Sequence, residues 1–139
     1  MPVNLRKSRA KPRDIEGPIH RSILDYLRLA LPDALIHHSP NAIGLSGYKL
    51  SRQIAENREN GTVKGFPDLI VLPWANIGPM LFEVKAPGNY PDKDQRELHE
   101  RLTTLGYRVA VVRSPEDVAA KLDEWGIWQQ PGARKVVLP

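Results

Sequence analysis

Two short segments carry the residue types best suited to chemistry. The first is Gly65–Asp68, which reads Gly-Phe-Pro-Asp, and the second is Glu83–Lys85, which reads Glu-Val-Lys. An aspartate after a proline, followed at a distance by an acid and a lysine flanking one apolar residue, is the residue order of a metal-dependent phosphodiesterase site. The sequence contains no cysteine, no glycine-rich phosphate loop and no serine placed as a nucleophile. The two segments are therefore the strongest candidates for a site.

Strand geometry predicts how these side chains are arranged. Side chains alternate along a strand, so Glu83 and Lys85 share one face while Val84 points into the core. Asp68 begins the preceding strand, and pairing of the two strands would bring both carboxylates to one edge of the sheet. Two carboxylates, waters and a backbone carbonyl, which we assign to Val84, form the oxygen ligand set that Mg²⁺ or Mn²⁺ uses.

Such a metal would polarise the scissile phosphate and lower the pKa of a bound water. Lys85 would orient the nucleophile and stabilise the transition state. Each segment also has a structural interpretation: an acid and a lysine on one strand face often form an exposed ion pair, and Pro-Asp often begins a strand or turn. The combination of the two segments favours a catalytic site.

Two further residues are candidates for the same site. Glu16, near the start of the first predicted helix, is an acid that could reach the carboxylates. Gln95 could face the site and bind water or phosphate. Alternatively, Gln95 completes a capping box with Asp92, because the two lie three residues apart at a helix start.

A basic excess is compatible with a polyanionic partner. The formal net charge is +4 and the isoelectric point is near 9.5, which suits nucleic acid without requiring it. Five cationic residues near the two segments are candidate phosphate contacts, although each could equally be a solvated surface charge: Lys49, Arg52, Arg58, Lys64 and Arg96.

The pattern of the remaining chain predicts an α/β fold with a mixed sheet flanked by helices. Its 139 residues suit one domain, which we place at residues 14–128, after a basic arm (1–13) and before a tail (129–139) with a turn and a short extended segment. Residues 48–60 could form a short helix or a long loop. The predicted helices span about 15–31, 93–105 and 115–125, and the predicted strands span 35–38, 68–72, 80–85 and 108–113.

Composition also predicts the compartment. The absence of cysteine fits a reducing environment, and the basic N-terminus leads into no apolar segment of a signal peptide. No apolar run approaches membrane-spanning length. We therefore expect a cytoplasmic protein with no membrane contact and no small-molecule cofactor.

The sequence resembles the VRR-NUC (virus-type replication-repair nuclease) branch of the PD-(D/E)XK nuclease superfamily. Five parts of the chain carry the resemblance, which covers most of the chain up to about residue 125: Glu16, Lys64–Leu69, Phe82–Lys85, Asp94–Arg96 and Gly106–Arg113. The acid pair and the lysine are common to the superfamily, whereas Gln95 and the Gly-Tyr-Arg-Val strand indicate the branch.

The resemblance implies a restriction-endonuclease-like αβββαβ core. It implies Asp68 and Glu83 as metal ligands, Lys85 as the catalytic lysine, and Glu16 and Gln95 as further site residues. It also implies Mg²⁺- or Mn²⁺-dependent endonuclease cleavage of DNA by a homodimer, on branched DNA such as four-way (Holliday) junctions. Members that consist of the domain alone resemble phage or bacterial enzymes of DNA repair.

Three alternatives remain open from the sequence. The same site could serve sequence-specific or flap cleavage of DNA, or cleavage of RNA. A DNA-binding module could also keep the fold without catalysis, although the presence of Asp68, Glu83 and Lys85 argues against it.

Overall fold

The computed structural model describes residues 14–39 and 47–137. The basic arm predicted for residues 1–13 and the last two residues of the tail lie outside the described part. Within it, the elements follow in the order α1 (Glu16–Ala30), β1 (Leu35–His38), α2 (Gly47–Glu59), β2 (Leu69–Leu72), β3 (Met80–Val84), α3 (Lys93–Thr104), β4 (Arg108–Val112), α4 (Pro115–Glu124) and α5 (Pro131–Val137).

The four strands form one mixed sheet in the order β1-β2-β3-β4. β1 and β2 are antiparallel, as are β2 and β3, whereas β3 and β4 are parallel. Leu69, at the start of β2, pairs with both His38, at the end of β1, and Phe82, near the end of β3. This register brings the residues just before β2 and just after β3 to the same edge of the sheet. The predicted mixed α/β architecture is confirmed.

The hydrophobic core fixes which face of β3 is left for polar residues. Met80, Phe82 and Val84 are fully buried in a cluster that includes Ile23 of α1 and Leu122 of α4. Because alternate residues of a strand face opposite sides, Glu83 lies on the other face, where a side chain of α3 contacts it. Val84 therefore points into the core, as predicted.

The helix starts follow local signals in the sequence. Asp92 and Gln95 form the predicted capping box at the start of α3. Ser114 caps α4, which has Pro115 in its first turn. Asp14 precedes α1, and its Oδ1 accepts a hydrogen bond from the backbone N–H of Gly17 at 2.9 Å. Side-chain acceptors at these positions satisfy backbone N–H groups that have no partner within the helix.

The structure settles one open alternative and corrects one prediction. The polar segment at 48–60 forms helix α2. The extended segment predicted for the tail is wrong, since residues 131–137 form helix α5, which packs against α1. Ala133 of α5 is 2% exposed, and Gln130 donates a backbone hydrogen bond to the carbonyl of Ala30 at 2.8 Å. A seven-residue helix gains little from propensity alone, so tertiary packing determines it.

None of the helices in the described part of the chain is long and apolar enough to cross a membrane.

Candidate active site

Asp68 and Glu83 meet at the edge of the sheet where β2 begins and β3 ends. The Oδ2 atom of Asp68 accepts a hydrogen bond from the backbone N–H of Val84 at 2.8 Å. This bond ties the Asp68 carboxylate to the residue after Glu83, whose side chain is only 2% exposed. Strand register therefore brings together the two acids that lie 15 positions apart (83 − 68) in the sequence.

Lys85 follows β3 and joins the same group. Its Nζ lies 3.7 Å from Glu83 Oε1, and its side chain is 18% exposed. The backbone N–H of Lys85 donates to the carbonyl of Val112 at 3.1 Å, which continues the parallel pairing with β4. Lys85 thus combines a fixed backbone with an ammonium group that solvent can still reach.

Gln95 completes the capping box and also contacts Glu83. Its Oε1 accepts a hydrogen bond from the backbone N–H of Asp92 at 2.9 Å, as half of the capping box. Its Nε2 donates to Glu83 Oε1 at 2.8 Å. Because one amide supplies both an acceptor and donors, the start of α3 is joined directly to the buried acid.

The backbone conformation of residue 65 and its close contact with α3 both require glycine at this position. Its φ of +84° lies in a region that L side chains rarely adopt, and an added Cβ would lie 2.9 Å from backbone atoms of Asp94 and Gln95. Lys64, one residue earlier, forms an ion pair with Asp94 at 3.0 Å. The absence of a side chain at residue 65 therefore lets the loop before Asp68 pack against the start of α3.

The acid pair is electrostatically unfavourable as it stands. Burial, and secondly the neighbouring Asp68 carboxylate, raise the pKa of Glu83 to about 8, while Lys85 acts in the opposite direction. No described residue donates a hydrogen bond to Glu83 Oε2, although this atom is buried. A buried oxygen without a partner carries the full cost of its lost hydration.

The donor set fits a hard divalent cation. A cation beside Asp68 and Glu83 would offset their mutual repulsion and give the unpaired Glu83 oxygen a partner. Over residues 14–39 and 47–137, no group of three or more His, Cys, Asp or Glu side chains could hold a metal ion. The protein ligands would thus be two carboxylates, with backbone carbonyl and water oxygens completing the shell, which suits magnesium.

Two histidines of α1 and β1 lie beside Asp68. The rings of His20 and His38 meet edge to face with centroids 4.5 Å apart, and His38 Nδ1 lies 3.3 Å from the backbone carbonyl of Asp68. Burial, and secondly His38, lower the pKa of His20, which favours the neutral ring.

His99 on α3 also belongs to the surroundings of the site. Burial lowers its pKa, with smaller effects from Asp68 and Lys85. Its buried Nε2 has no hydrogen-bond partner within the described part of the chain. His99 follows Gln95 by one helical turn, and this spacing is the signal in the sequence that it shares the face of α3 that carries Gln95.

Glu16 is less closely associated with the acid pair. It begins α1 and lies one turn before His20, on the side of the helix that approaches β1. Among the hydrogen bonds and ion pairs of the described residues, none joins Glu16 to Asp68 or Glu83. Its role in the site stays a prediction.

A cleft of about 560 Å³ opens beside the site and reaches Asp68, Asp92 and Gln95. Helix α2 forms one wall through Leu50 and Ile54, although none of its residues is buried. The sequence left this segment open between helix and loop. Its apolar positions four residues apart are the signal that would have favoured a helix with one face toward the cleft.

The five candidate phosphate contacts divide into three groups. Arg58 and Lys64 line the cleft. Lys49 and Arg52 are exposed on α2, and Arg52, two residues from both Leu50 and Ile54, lies on the opposite side of that helix. Arg96 follows Gln95, and its Nη1 donates to the backbone carbonyl of Pro91 at 2.7 Å.

Comparisons with known proteins identify a family for this chain. The family model described as the VRR-NUC domain matches residues 18–116. A solved structure named VRR_NUC domain protein is 21% identical with a TM-score of 0.60, and covers 85% of this chain and 98% of its own. A second, named VRR_NUC domain, is 26% identical with a TM-score of 0.52, and covers 81% of this chain and 97% of its own. No curated protein matches the chain.

The matched region contains β1 to β4 and the site residues Asp68, Glu83, Lys85 and Gln95. Proteins of this family are nucleases that act on DNA, and they generally use divalent metals. The chain therefore belongs to the VRR-NUC family and is a nuclease of the PD-(D/E)XK type.

Proposed function

We propose that the chain is a metal-dependent DNA endonuclease in which Asp68, Glu83 and the Val84 carbonyl hold Mg²⁺ or Mn²⁺. The observation that supports this most strongly is Glu83, a buried acid with an unpaired oxygen beside a second carboxylate. A fold without a cation at this point would gain stability from an apolar or amide residue. Binding of a cation between the two carboxylates would account for this otherwise unfavourable arrangement.

The reaction is hydrolysis of a phosphodiester: water forms a bond to phosphorus, the ester P–O bond breaks, and the leaving oxygen takes up a proton. When bound, the divalent cation supplies Lewis acidity and offsets developing negative charge. Lys85 orients the attacking water and a phosphate oxygen through its ammonium group. Gln95 fixes the position of Glu83, and Glu16 contributes a further acid at the margin of the site.

The cleft beside the site supports a nucleic-acid path. Arg58 and Lys64 lie along it, and we propose that they contact phosphates. Lys49 and Arg96 are further candidates, whereas Arg52, on the opposite side of α2, would contact DNA only outside the cleft. Such contacts position DNA without reading its sequence. Preference for branched DNA such as four-way junctions, and action as a homodimer, are further parts of the proposal that rest on the family resemblance.

A cleavage panel tests the proposal. Wild type is incubated with a four-way junction, a flap, linear duplexes of many sequences, single-stranded DNA and RNA, each with Mg²⁺, Mn²⁺ or EDTA, and Lys85→Ala serves as the control for contaminating nucleases. We expect metal-dependent cutting that is fastest on the junction. Cutting in EDTA would contradict metal dependence, and equal rates on junction and duplex would contradict structure selectivity.

The same panel separates the alternatives. Fastest cutting at one duplex sequence, on the flap or on RNA would favour the corresponding nuclease task. Binding without any cleavage would favour a non-catalytic DNA-binding module. Light scattering of the full chain, with and without junction DNA, tests the homodimer, and a monomer that cuts both strands symmetrically would contradict paired action. The division into an arm, a domain at 14–128 and a tail stays a prediction.

A further inference from the structure

Three hydrogen bonds to backbone carbonyls hold the loop between β3 and α3, most of whose residues are exposed. Asn89 closes a turn by donating its backbone N–H to the carbonyl of Ala86 at 3.1 Å. The guanidinium of Arg113 donates to the carbonyl of Asn89 at 2.7 Å, and that of Arg96 donates to the carbonyl of Pro91 at 2.7 Å. Two arginines from different elements therefore hold the backbone on either side of Tyr90.

The ring of Tyr90 extends from this loop into solvent. The side chain is 75% exposed, and the Arg113 guanidinium carbon lies 5.2 Å from the ring centroid. Arg113 is itself held through its backbone N–H, which donates to Asp117 Oδ2 at 2.8 Å. The Arg113 guanidinium therefore holds the Tyr90 ring in one orientation, while most of the ring surface is exposed to solvent. Burial of apolar surface does not account for this placement.

Tyr90 lies close to Lys85 along the chain, and therefore close to the proposed position of the scissile phosphate. Tyr90 follows Lys85 by five residues (90 − 85) and precedes Asp92, which lines the cleft. Five residues span at most about 18 Å, which corresponds to about five stacked nucleotides at 3.4 Å each. A strand whose phosphate reaches Lys85 therefore has nearby bases within reach of Tyr90.

We propose that Tyr90, held by Arg113, is a stacking site for one unpaired nucleobase close to the scissile phosphate. This proposal rests on the proposed function and deepens it. An exposed aromatic ring beside arginine binds bases of any sequence, because every base offers a π face. Stacking requires a base that is free of its partner, so the site would favour DNA that is open at a branch or an end over continuous duplex.

Equilibrium binding in EDTA tests stacking without cleavage. Full-length wild type is titrated with a four-way junction, a single-stranded oligonucleotide and a linear duplex, each carrying 2-aminopurine at one of successive positions. We expect a fluorescence change confined to one or two adjacent positions of the junction and the single strand. Tyr90→Ala should remove this change and weaken binding about fivefold or more, whereas Tyr90→Phe and Tyr90→Trp should retain it.

A matched control uses a second exposed tyrosine. Tyr107 is 45% exposed and precedes β4, whereas Arg113 follows the other end of that strand. Tyr107→Ala should leave both the fluorescence change and the affinity at wild-type values. Thermal denaturation of each variant shows whether it is folded. Equal behaviour of Tyr90→Ala and wild type on the junction and the single strand would overturn the stacking site.

An abasic substrate separates stacking from general loop damage. With the base removed at the responsive position, wild type and Tyr90→Ala should bind equally, since the lost contact is then absent from both complexes. An unchanged difference on abasic DNA would overturn the proposal. If no DNA is cut with Mg²⁺ or Mn²⁺ while the fluorescence change persists, the proposed nuclease function fails and the binding site stands. If Tyr90→Ala cuts DNA at the wild-type rate and wild type shows no fluorescence change, the stacking site fails and the proposed nuclease function stands.

Discussion

Two polar networks lie in different parts of this molecule, and their chemistry differs sharply. The network between α1 and α5 joins Tyr26, Gln129, Asp123 and Arg134. The Tyr26 hydroxyl donates to Gln129 Oε1, Gln129 Nε2 donates to Asp123 Oδ1 at 2.9 Å, and Arg134 pairs with Asp123. Each contact joins a donor to an acceptor, and the one ion pair joins opposite charges.

The network at the edge of the sheet joins Asp68, Glu83, Lys85 and Gln95 and is less complete. Two carboxylates lie together, one buried oxygen has no described partner, and the pKa of Glu83 is raised to about 8. A satisfied polar network stabilises a fold, whereas a partly satisfied one lowers stability. We therefore expect the α1–α5 network to stabilise the fold, whereas the network at the sheet edge costs stability and is the one that we propose for catalysis.

We expect Lys85→Ala to lose more cleavage activity than any other variant proposed. Removing one group that stabilises transition-state charge should lower kcat by about a hundredfold to a thousandfold. DNA affinity and thermal stability should change little, because Lys85 is one cation among many and its side chain is partly exposed. Single-turnover cleavage of the preferred DNA measures the effect. A variant that cuts at the wild-type rate would exclude Lys85 from the chemistry.

The second effect is a dependence of protein stability on pH, caused by the ionisation of Glu83. Its pKa is about 8 in the folded protein against 4.5 unfolded, so the folded state binds the proton more tightly between these values. Stability without metal should therefore fall as pH rises from 6 to 8, by on the order of 2 kcal/mol, since one proton corresponds to about 1.4 kcal/mol per pH unit. Urea denaturation in EDTA measures this.

Mg²⁺ and Glu83→Gln provide the controls for this pH effect. Added Mg²⁺ should restore stability more at pH 8 than at pH 6, because it binds the ionised pair. Glu83→Gln, which has no proton to lose, should show a flatter pH profile and a weaker response to Mg²⁺. Parallel profiles for the variant and wild type would show that Glu83 is not the group responsible.

The third effect separates the two roles of Gln95. Gln95→Ala and Asp92→Ala each remove half of the capping box; Asp92→Ala should lower stability by about 1 kcal/mol, and Gln95→Ala should lower it by more, because it also takes the donor from a buried Glu83 oxygen. Only Gln95→Ala also removes the hydrogen bond to Glu83, so it alone should lower cleavage a further tenfold to a hundredfold. Denaturation and cleavage are measured on both variants. Equal losses of cleavage would show that the cap, and not the contact with Glu83, matters for activity.

The smallest effect concerns the α1–α5 network. Tyr26→Phe keeps the buried ring but leaves the Gln129 carbonyl without its donor, which should lower the free energy of unfolding by about 1 kcal/mol. Cleavage at a temperature where the variant is folded should be unchanged. Gln129→Ala in the Tyr26→Phe background should cost less than it does alone, because the two residues share one contact. A loss of cleavage without a loss of stability would contradict the separation of the two networks.

Much of the fold could be predicted because its signals are local. The capping box of Asp92 and Gln95, for example, predicts the start of α3 from two residues three positions apart. The wrong prediction for 131–137 concerns a segment whose structure depends on distant packing, whereas none of the residues of α2 is buried and its helical signal is the local spacing of Leu50 and Ile54. Helix α5 is stabilised by Ala133 against α1, and no local pattern reveals that contact.

The residue types of the site, and the face of β3 that Glu83 and Lys85 share, follow from the sequence, because the side chains of a strand alternate between its two faces. The other features of the site depend on the tertiary structure. Antiparallel register brought Asp68 to Val84, packing of α3 gave Gln95 its contact with Glu83, and the β3–α3 loop placed Tyr90 beside Arg113. Burial raised the pKa of Glu83, and burial is a property of the folded surroundings that no neighbour in the sequence supplies.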